Sequence, residues 1–527
     1  MVGRWLGALA IVAVAVQWTA GCSEDEAAAG PTASPGGAGG TGADGGTSSG
    51  GTAGGGGACG DGTCDATEDC SSCEADCGAC PPAAVPMTFA DPLVDGTAGE
   101  WSESRARTLA TQSRLPYLNG GFGTEGTECG LGGRVIKVTT LEDGDDIDGS
   151  LRAAIEATGP RTVVFEVSGA IALTRSLPVR NPYLTIAGQT APPPGVSLYH
   201  HKLHIGTHDV CVQHLRVRLG DRLADGTLRS DFSTADALQI RSLDGDPVHN
   251  VVVDNVSLSW AIDELLDVSG PGVSDVTIRD VFFAEPLLGT DGHAYCGLLS
   301  DYGANPLRVA YVANVYAHCY RRNPRVGEGT NVVVNQWIYN PGRHAIHISG
   351  NHDMLDIWTS MVGNTMAFPT DPANQYDGWR SAFALIENVY LYEPRNIRVY
   401  LAGNSSPDPY PIYDEWTDAT CPAVMVDDAE VWDRTIYPIE PSELEDVLLP
   451  NVGAFPKHRD SADARVISDI QNRTGTYLNS QEDLGGYPDV DENYRELTPP
   501  SSPQADSDGD GLSDLREWLQ SHTDAVE

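Results

Sequence analysis

The sequence predicts an all-β fold, a solenoid of the parallel β-helix kind, and three observations predict it. Short β-branched runs recur along the middle of the chain: RTVVFEV (161–167), YLTIAG (183–188), DVCVQHLRVRL (209–219), NVVVDNVSLS (250–259), DVTIRDVFF (275–283), RVAYVANVYAH (308–318) and NVVVNQWIYN (331–340). Their spacing, 22 residues from Val164 to Ile186 and 26 from Val252 to Ile278, suits one coil of strands stacked on the last. No helical period fills the gaps, which disfavours strand–helix units, and hairpin signals between neighbouring runs are scarce, which disfavours a sandwich. Polar residues ending the runs, Asp254-Asn255, Asn314 and Asn335, fit side-chain ladders at the corners of such coils.

The segments around this solenoid differ in kind. Residues 1–21 read as a lipoprotein signal peptide, with Arg4 as the positive start and an apolar run from Trp5 to Trp18 too short to span a membrane. Thr19-Ala20-Gly21-Cys22 resembles a bacterial lipobox, in which Cys22 is lipidated; ordinary secretion with cleavage nearby is the alternative. Ser23 after the cysteine resembles outer-membrane sorting, so the expected location is the outer membrane through a lipid anchor, or the exterior. Residues 22–58 carry the lipidated cysteine and a Gly/Ser/Thr-rich tether that cannot bury a core. Cys59, Cys64, Cys70, Cys73, Cys77 and Cys80 crowd into 59–80, which in an exported protein reads as a disulfide knot rather than a zinc site. A linker and N-terminal extension follows over 81–116, the β-helix is expected over 117–415, and a C-terminal segment wrapping it over 416–500.

The formal net charge is −42, from 74 acidic and 32 basic side chains. Such acidity excludes nucleic acid as a partner, since that needs a basic footprint. It also means that a polyanionic substrate would need a local basic cleft or bridging divalent cations. The chain is expected to be a monomer.

The stretch from GGFGTEGTECGLGGRVIKV through DGSLRAAIEATGPRTVVFEVSGAIAL (120–173), with LTIAGQTAPPPGV, LRVRLGD, DALQI, VVVDNVSLSW, DELLDV and RRNPRV in order, resembles polysaccharide lyase family one, the pectate lyases. The tail NVGAFPKHRDSADARVISDIQNRTGTYLNSQEDLGGYPD is similar to the C-terminal wrap of a bacterial secreted branch. The resemblance spans roughly residues 117–490. It implies a right-handed parallel β-helix and calcium-dependent β-elimination of pectate (polygalacturonate), an acidic polysaccharide, to 4,5-unsaturated oligouronides.

That chemistry removes the proton on C5 of a uronate, which is barely acidic while the carboxylate is a full anion. A hard cation held by oxygen ligands neutralises the carboxylate. Asp263 and Asp267, four apart in DELLD, share a face on an extended strand. Asp236 lies 27 residues before Asp263, about one coil. These three match the family's calcium aspartates, with Glu264 a spare ligand; solvated surface acids are the bland alternative. The family's base is an arginine in an R-x-P motif, here Arg322-Asn323-Pro324. Arg321 and Arg325 flank it as candidates for substrate carboxylates, and His293 resembles the H-x-Y-G histidine of the bacterial branch. Two departures stand out: Ala284 where the family often has a lysine, and Gly327 near the place of a second arginine.

Two rival functions remain open, a non-catalytic surface glycan-binding protein on the same scaffold and a β-helix glycoside hydrolase, which needs paired catalytic carboxylates. At the other end, 501–527 reads as a structural calcium loop and a terminal helix. Asp506, Asp508, Asp510, Leu512 (by its carbonyl), Asp514 and Glu517 hold the ligand positions of an EF-hand-type loop, with Gly511 at its turn. Outside the knot, Cys296 and Cys319 are 23 apart, one coil, close enough for a disulfide.

Overall fold

A computed structural model describes residues 121–124, 127–231, 234–289, 293–300, 307–349, 356–375, 382–387, 397–416, 423–426, 436 and 438–527. The signal peptide, Cys22, the tether, the cysteine knot and the linker to 116 therefore lie outside the described residues. Among those described, no helix is long and apolar enough to cross a membrane.

The described strands form three parallel sheets, of eleven, nine and eight strands, in a right-handed parallel β-helix. Through the middle of the solenoid each coil gives one strand to each sheet. Val251–Asp254 lies in the first sheet, Ser257–Ser259 in the eight-stranded one and Glu264–Ser269 in the nine-stranded one; Val276–Arg279 then returns beside Val251–Asp254. Alternation sends every second residue inward, so Val163, Ile186, Val212, Val253 and Ile278 stack in one core column and are wholly buried.

The register corrects the spacing by one residue. Val163, not Val164, pairs with Ile186, and Ile278 pairs with Val253 rather than Val252. The error matters because a one-residue slip exchanges faces: Val164 and Val252 point out of the coil, into a separate apolar cluster. The corner ladders lie where the polar run-ends predict. Asn255 and Asn335 occupy left-handed corners at φ 48° and 57°. The next position carries the ladder itself: Asn314 donates to Gln336 Oε1 at 3.0 Å, and Asn364 donates to Asn404 Oδ1 at 2.8 Å.

Both flanks of the coil are covered. Helix Leu151–Glu156, capped by Ser150 accepting from Ala153 N, buries Leu151, Ala154 and Ile155 against the core at the N-terminal end. Helices Leu444–Leu448 and Ser461–Asn472 lay Leu444, Val447, Leu448, Val466 and Ile470 on Phe282, Val315 and Trp337 of the eight-stranded sheet. Asp460 and Asp463 at the start of the longer helix hold Arg218 at 2.7 and 2.9 Å. The terminal helix Asp514–Val526 docks Leu515 and Leu519 beside Cys129 and Cys211.

Two disulfides are formed among the described cysteines. Cys296–Cys319 joins successive coils with a Cα–Cα distance of 5.8 Å, as the 23-residue spacing allows. Cys129–Cys211, 82 residues apart, has no spacing signal in the sequence. Of the five cysteines beyond the knot and Cys22, this leaves Cys421, which lies outside the described residues.

Candidate active site

The nine-stranded sheet carries the chemistry on its outer face. Leu203, Ile205, Leu238, Ile240, Leu266, Val268, Leu299, Val326, Ile346 and Ile348 from its strands fill the core. Their neighbours His204, Gln239, Asp267, Leu298, Arg325 and His347 therefore stack outward in one row, each paired with the next. A second stack begins these strands: Glu264 pairs with Tyr295, and Tyr295 with Arg321. Arg321 and Arg322 thus stand two coils from the acidic segment.

Three carboxylates converge there. Ligand oxygens of Asp236, Asp263 and Glu264 all lie within 4.8 Å of one another. Asp267 is not in that group. Asp263 lies in the bend before the strand Glu264–Ser269, so even spacing along a strand does not set how its side chain stands relative to Asp267. Glu264 is the third member of the group. Asp267 stays linked through Gln239, whose amide donates to Asp267 Oδ2 at 2.8 Å and to Asp236 Oδ2 at 3.3 Å.

Burial drives Asp236, Glu264 and Asp267 toward their neutral forms, and neighbouring acids add to this at Asp236 and Glu264. Burial first, then the Asp267 charge, pushes Asp236 up to about 7, against the opposing pull of Lys202. Burial likewise raises Glu264 well above the usual carboxylate range, with Arg322 opposing and Asp263 adding to the rise. Asp267 is raised by burial against the hydrogen bond from Gln239. Its Oδ1 is buried and has no hydrogen-bond partner. Hard oxygen donors, crowded, buried and partly unpartnered, are what a divalent cation such as Ca²⁺ requires.

The cations face this group. Arg322 pairs with Glu264 Oε1, and its guanidinium lies over the Tyr295 ring, 4.3 Å from the centroid. Its backbone is left-handed, φ 65°, where the strand has left the sheet. Arg321 donates to the Tyr295 hydroxyl and lies over the Tyr295 and Tyr320 rings. His293 Nδ1 is 3.6 Å from Asp263 Oδ1. Arg325 is 3% exposed, between Leu298 and His347 in the outward row, so it is less open to a ligand than its neighbours.

Three residues of this face had no place in the sequence reading. Lys202 Nζ sits 3.3 Å from Asp236 Oδ2. The register of Leu203 on Leu238 puts it one coil earlier, and it is the one lysine in HHKLHI. His344 and His347 are both buried, with rings 4.9 Å apart. Burial, then Arg325, Arg322, Arg321 and Arg343, holds His347 neutral, well below its usual range. That list of neighbours marks a local basic cluster in an acidic chain. The paired histidines of RHAIHI, one coil past Arg322, were the available signal.

The two departures also find physical accounts. Ala284 is buried beneath the C-terminal helices, a packing position in this chain. A Cβ at Gly327 would meet the Leu299 carbonyl at 2.7 Å, so no longer side chain fits there without backbone movement.

No family model matches the chain. Among curated proteins it is similar to the probable pectate lyase C of Aspergillus flavus, 30% identical over 409 residues, covering 75% of this chain and 84% of that one. It is equally similar to the probable pectate lyase C of Emericella nidulans, 30% identical over 401 residues, covering 75% of this chain and 83% of that one. Both are fungal, so they support the family and not the bacterial branch. Among solved structures, the cedar pollen allergen jun a 1 overlaps 64% of this chain and 92% of its own at a TM-score of 0.43 and 17% identity. A pectate lyase bound to hexasaccharide overlaps 64% and 97% at a TM-score of 0.43 and 12% identity. Overlaps that loose carry no argument; the fold rests on the strand pairing.

Proposed function

The chain belongs to the pectate lyase family and is a polysaccharide lyase, and on that premise we propose that it cleaves pectate or a related polyuronate by calcium-dependent β-elimination, with Arg322 as the base. The observation that carries the reading is the approach of Arg322 to the Asp236–Asp263–Glu264 carboxylates across two coils. Calcium, when bound, neutralises the uronate carboxylate and so acidifies the proton on C5. Asp236 and Asp263 hold the cation, with Asp267 braced behind them by Gln239. Arg322 takes the C5 proton, the electron pair forms the C4–C5 double bond, and the bond from C4 to the glycosidic oxygen breaks. A guanidinium is almost always protonated. It serves as a base only beside positive charge and away from water, and the Tyr295 ring beneath Arg322 excludes water from one face. Arg321 is proposed to bind neighbouring uronate carboxylates, with Arg325 and His293 behind it.

The test is a panel of uronate polymers incubated with the protein, with and without EDTA. Ultraviolet-absorbing unsaturated products that vanish with EDTA are expected. New reducing ends without that absorbance would make the protein a hydrolase, and binding without either would make it a glycan-binding scaffold.

We also propose a second, structural calcium at the C-terminal loop. Oxygens of Asp506, Asp508 and Asp510 lie within 4.8 Å of one another. Asp506 accepts from Gly509 N at 2.7 Å and Gly511 N at 3.0 Å, and Asp510 from Leu512 N at 2.8 Å. Nearby Asp508, first among the acids, pushes Glu517 up. Asp514 instead accepts from Ser507 N at 2.9 Å, and would reach the ion through water. Because the following helix packs on the β-helix, EDTA is expected to lower the melting temperature by several degrees. A ligand at 100 times its Kd stabilises by about 2.7 kcal/mol. Asp510→Ala should shrink that EDTA effect to the share of the active-site cation; an unchanged EDTA shift in the variant would refute the loop site.

A further inference from the structure

Glu264 belongs to two groupings at once. Its carboxylate is one of the three within 4.8 Å of one another, and the same side chain is the ion-pair partner of Arg322. It is 3% exposed, so bulk water does not compete for it. A guanidinium resting on a carboxylate is held as the cation, the form that cannot accept a proton. That contact is therefore one that the proposed reaction has to break.

We propose that Glu264 is a positioning residue that latches Arg322 until the cation binds, and that its carboxylate then turns to the cation, releasing the guanidinium toward substrate. This rests on the reading of Arg322 as base and of Asp236 and Asp263 as cation ligands. The backbone need not move. Glu264 opens its strand and is fixed there by pairing with Tyr295, so rotation of its side chain alone carries the carboxylate between the two partners. Arg322 and the cation then compete for one carboxylate, and competition of this kind is a coupling that binding can measure.

The test is calorimetric titration of calcium into the full chain, following the binding step that Asp263→Ala removes. Four proteins are compared: wild type, Arg322→Ala, Glu264→Gln and the double variant. With Glu264 present, Arg322→Ala is expected to tighten calcium about 10-fold, within the usual range of coupled sites. In the Glu264→Gln background the same change should alter affinity less than about 2-fold. An equal tightening in both backgrounds is what simple removal of a nearby positive charge produces, and it would overturn the latch while leaving the cation site in place. If Asp263→Ala removes no binding step, the underlying site reading fails instead. Glu264→Gln preserves shape, and Arg322→Gln carries the same expectation if the alanine variant melts without cooperativity.

Discussion

Arg322→Lys is expected to lower kcat at least about 10²-fold with KM little changed, the usual scale for losing a general base. Lysine keeps the charge and most of the reach, but it changes the proton-accepting group and loses the planar fork. The position itself is not permissive. Arg322 has a left-handed backbone and lies over the Tyr295 ring while touching Glu264. A flexible ammonium makes a poorer match to that flat contact. A clamp on substrate carboxylate predicts the other pattern, in which KM rises and kcat survives. Arg325→Lys is the internal control. Arg325 is buried in the outward row between Leu298 and His347, so its replacement should disturb stability before turnover. Near-normal kcat in Arg322→Lys together with a collapsed kcat in Arg325→Lys would transfer the base to Arg325. Survival of kcat in both would remove arginine from the proton transfer altogether.

The parts of this site legible in the sequence are those set by period. A repeat of β-branched runs places Asp236 one coil before Asp263 and Arg322 two coils beyond, because each coil advances the chain by one inter-strand step. What the period does not carry is local geometry within a coil. Asp263 precedes the strand that carries Asp267, so their shared parity does not fix a shared face, and Asp267 lies outside the cluster that Glu264 enters. Glu264 enters it from the first position of its strand, where the chain is still turning and the strict alternation of faces has not begun. Lys202, His344 and His347 were missed for a related reason. They sit in short polar-rich stretches, HHKLHI and RHAIHI, and only the register of the adjoining strands on the next coil shows that they face the site. The Cys129–Cys211 bond was invisible because it ties a loop to the outside of the first sheet, across a separation unrelated to the repeat. Cys296–Cys319 follows the repeat, so the spacing permits the bond but does not distinguish it from two buried free thiols.

Asp236→Asn is expected to move stability and function in opposite directions. In the metal-free protein this carboxyl is buried beside Asp267 and pushed from its ordinary 3.8 up to about 7. An acid with a raised folded pKa contributes stability that is fully present below its unfolded value and is lost as pH rises through the folded one. The metal-free fold should therefore weaken between about pH 4 and pH 7, with Asp267 and Glu264, both raised by burial, adding to the same slope. Asparagine cannot ionise, so above pH 7 the variant without metal should melt several degrees higher than wild type. At about 1.4 kcal/mol per pKa unit the gain is a few kcal/mol at most. Part of it is offset because Lys202, 3.3 Å away, loses its partner. With calcium the order should reverse. The charge that destabilises the empty site is the one that holds the cation, and no single remaining carboxylate replaces it. Activity at limiting calcium is expected to fall at least about 10²-fold, with partial rescue by excess calcium, since removing a metal-site residue costs on that scale. Melting curves in EDTA at pH 5 and pH 8, paired with calcium titrations of activity, measure both halves. A variant less stable than wild type in EDTA at pH 8 would mean that Lys202 or another cation already satisfies Asp236. An unchanged calcium dependence would place the cation elsewhere on this face.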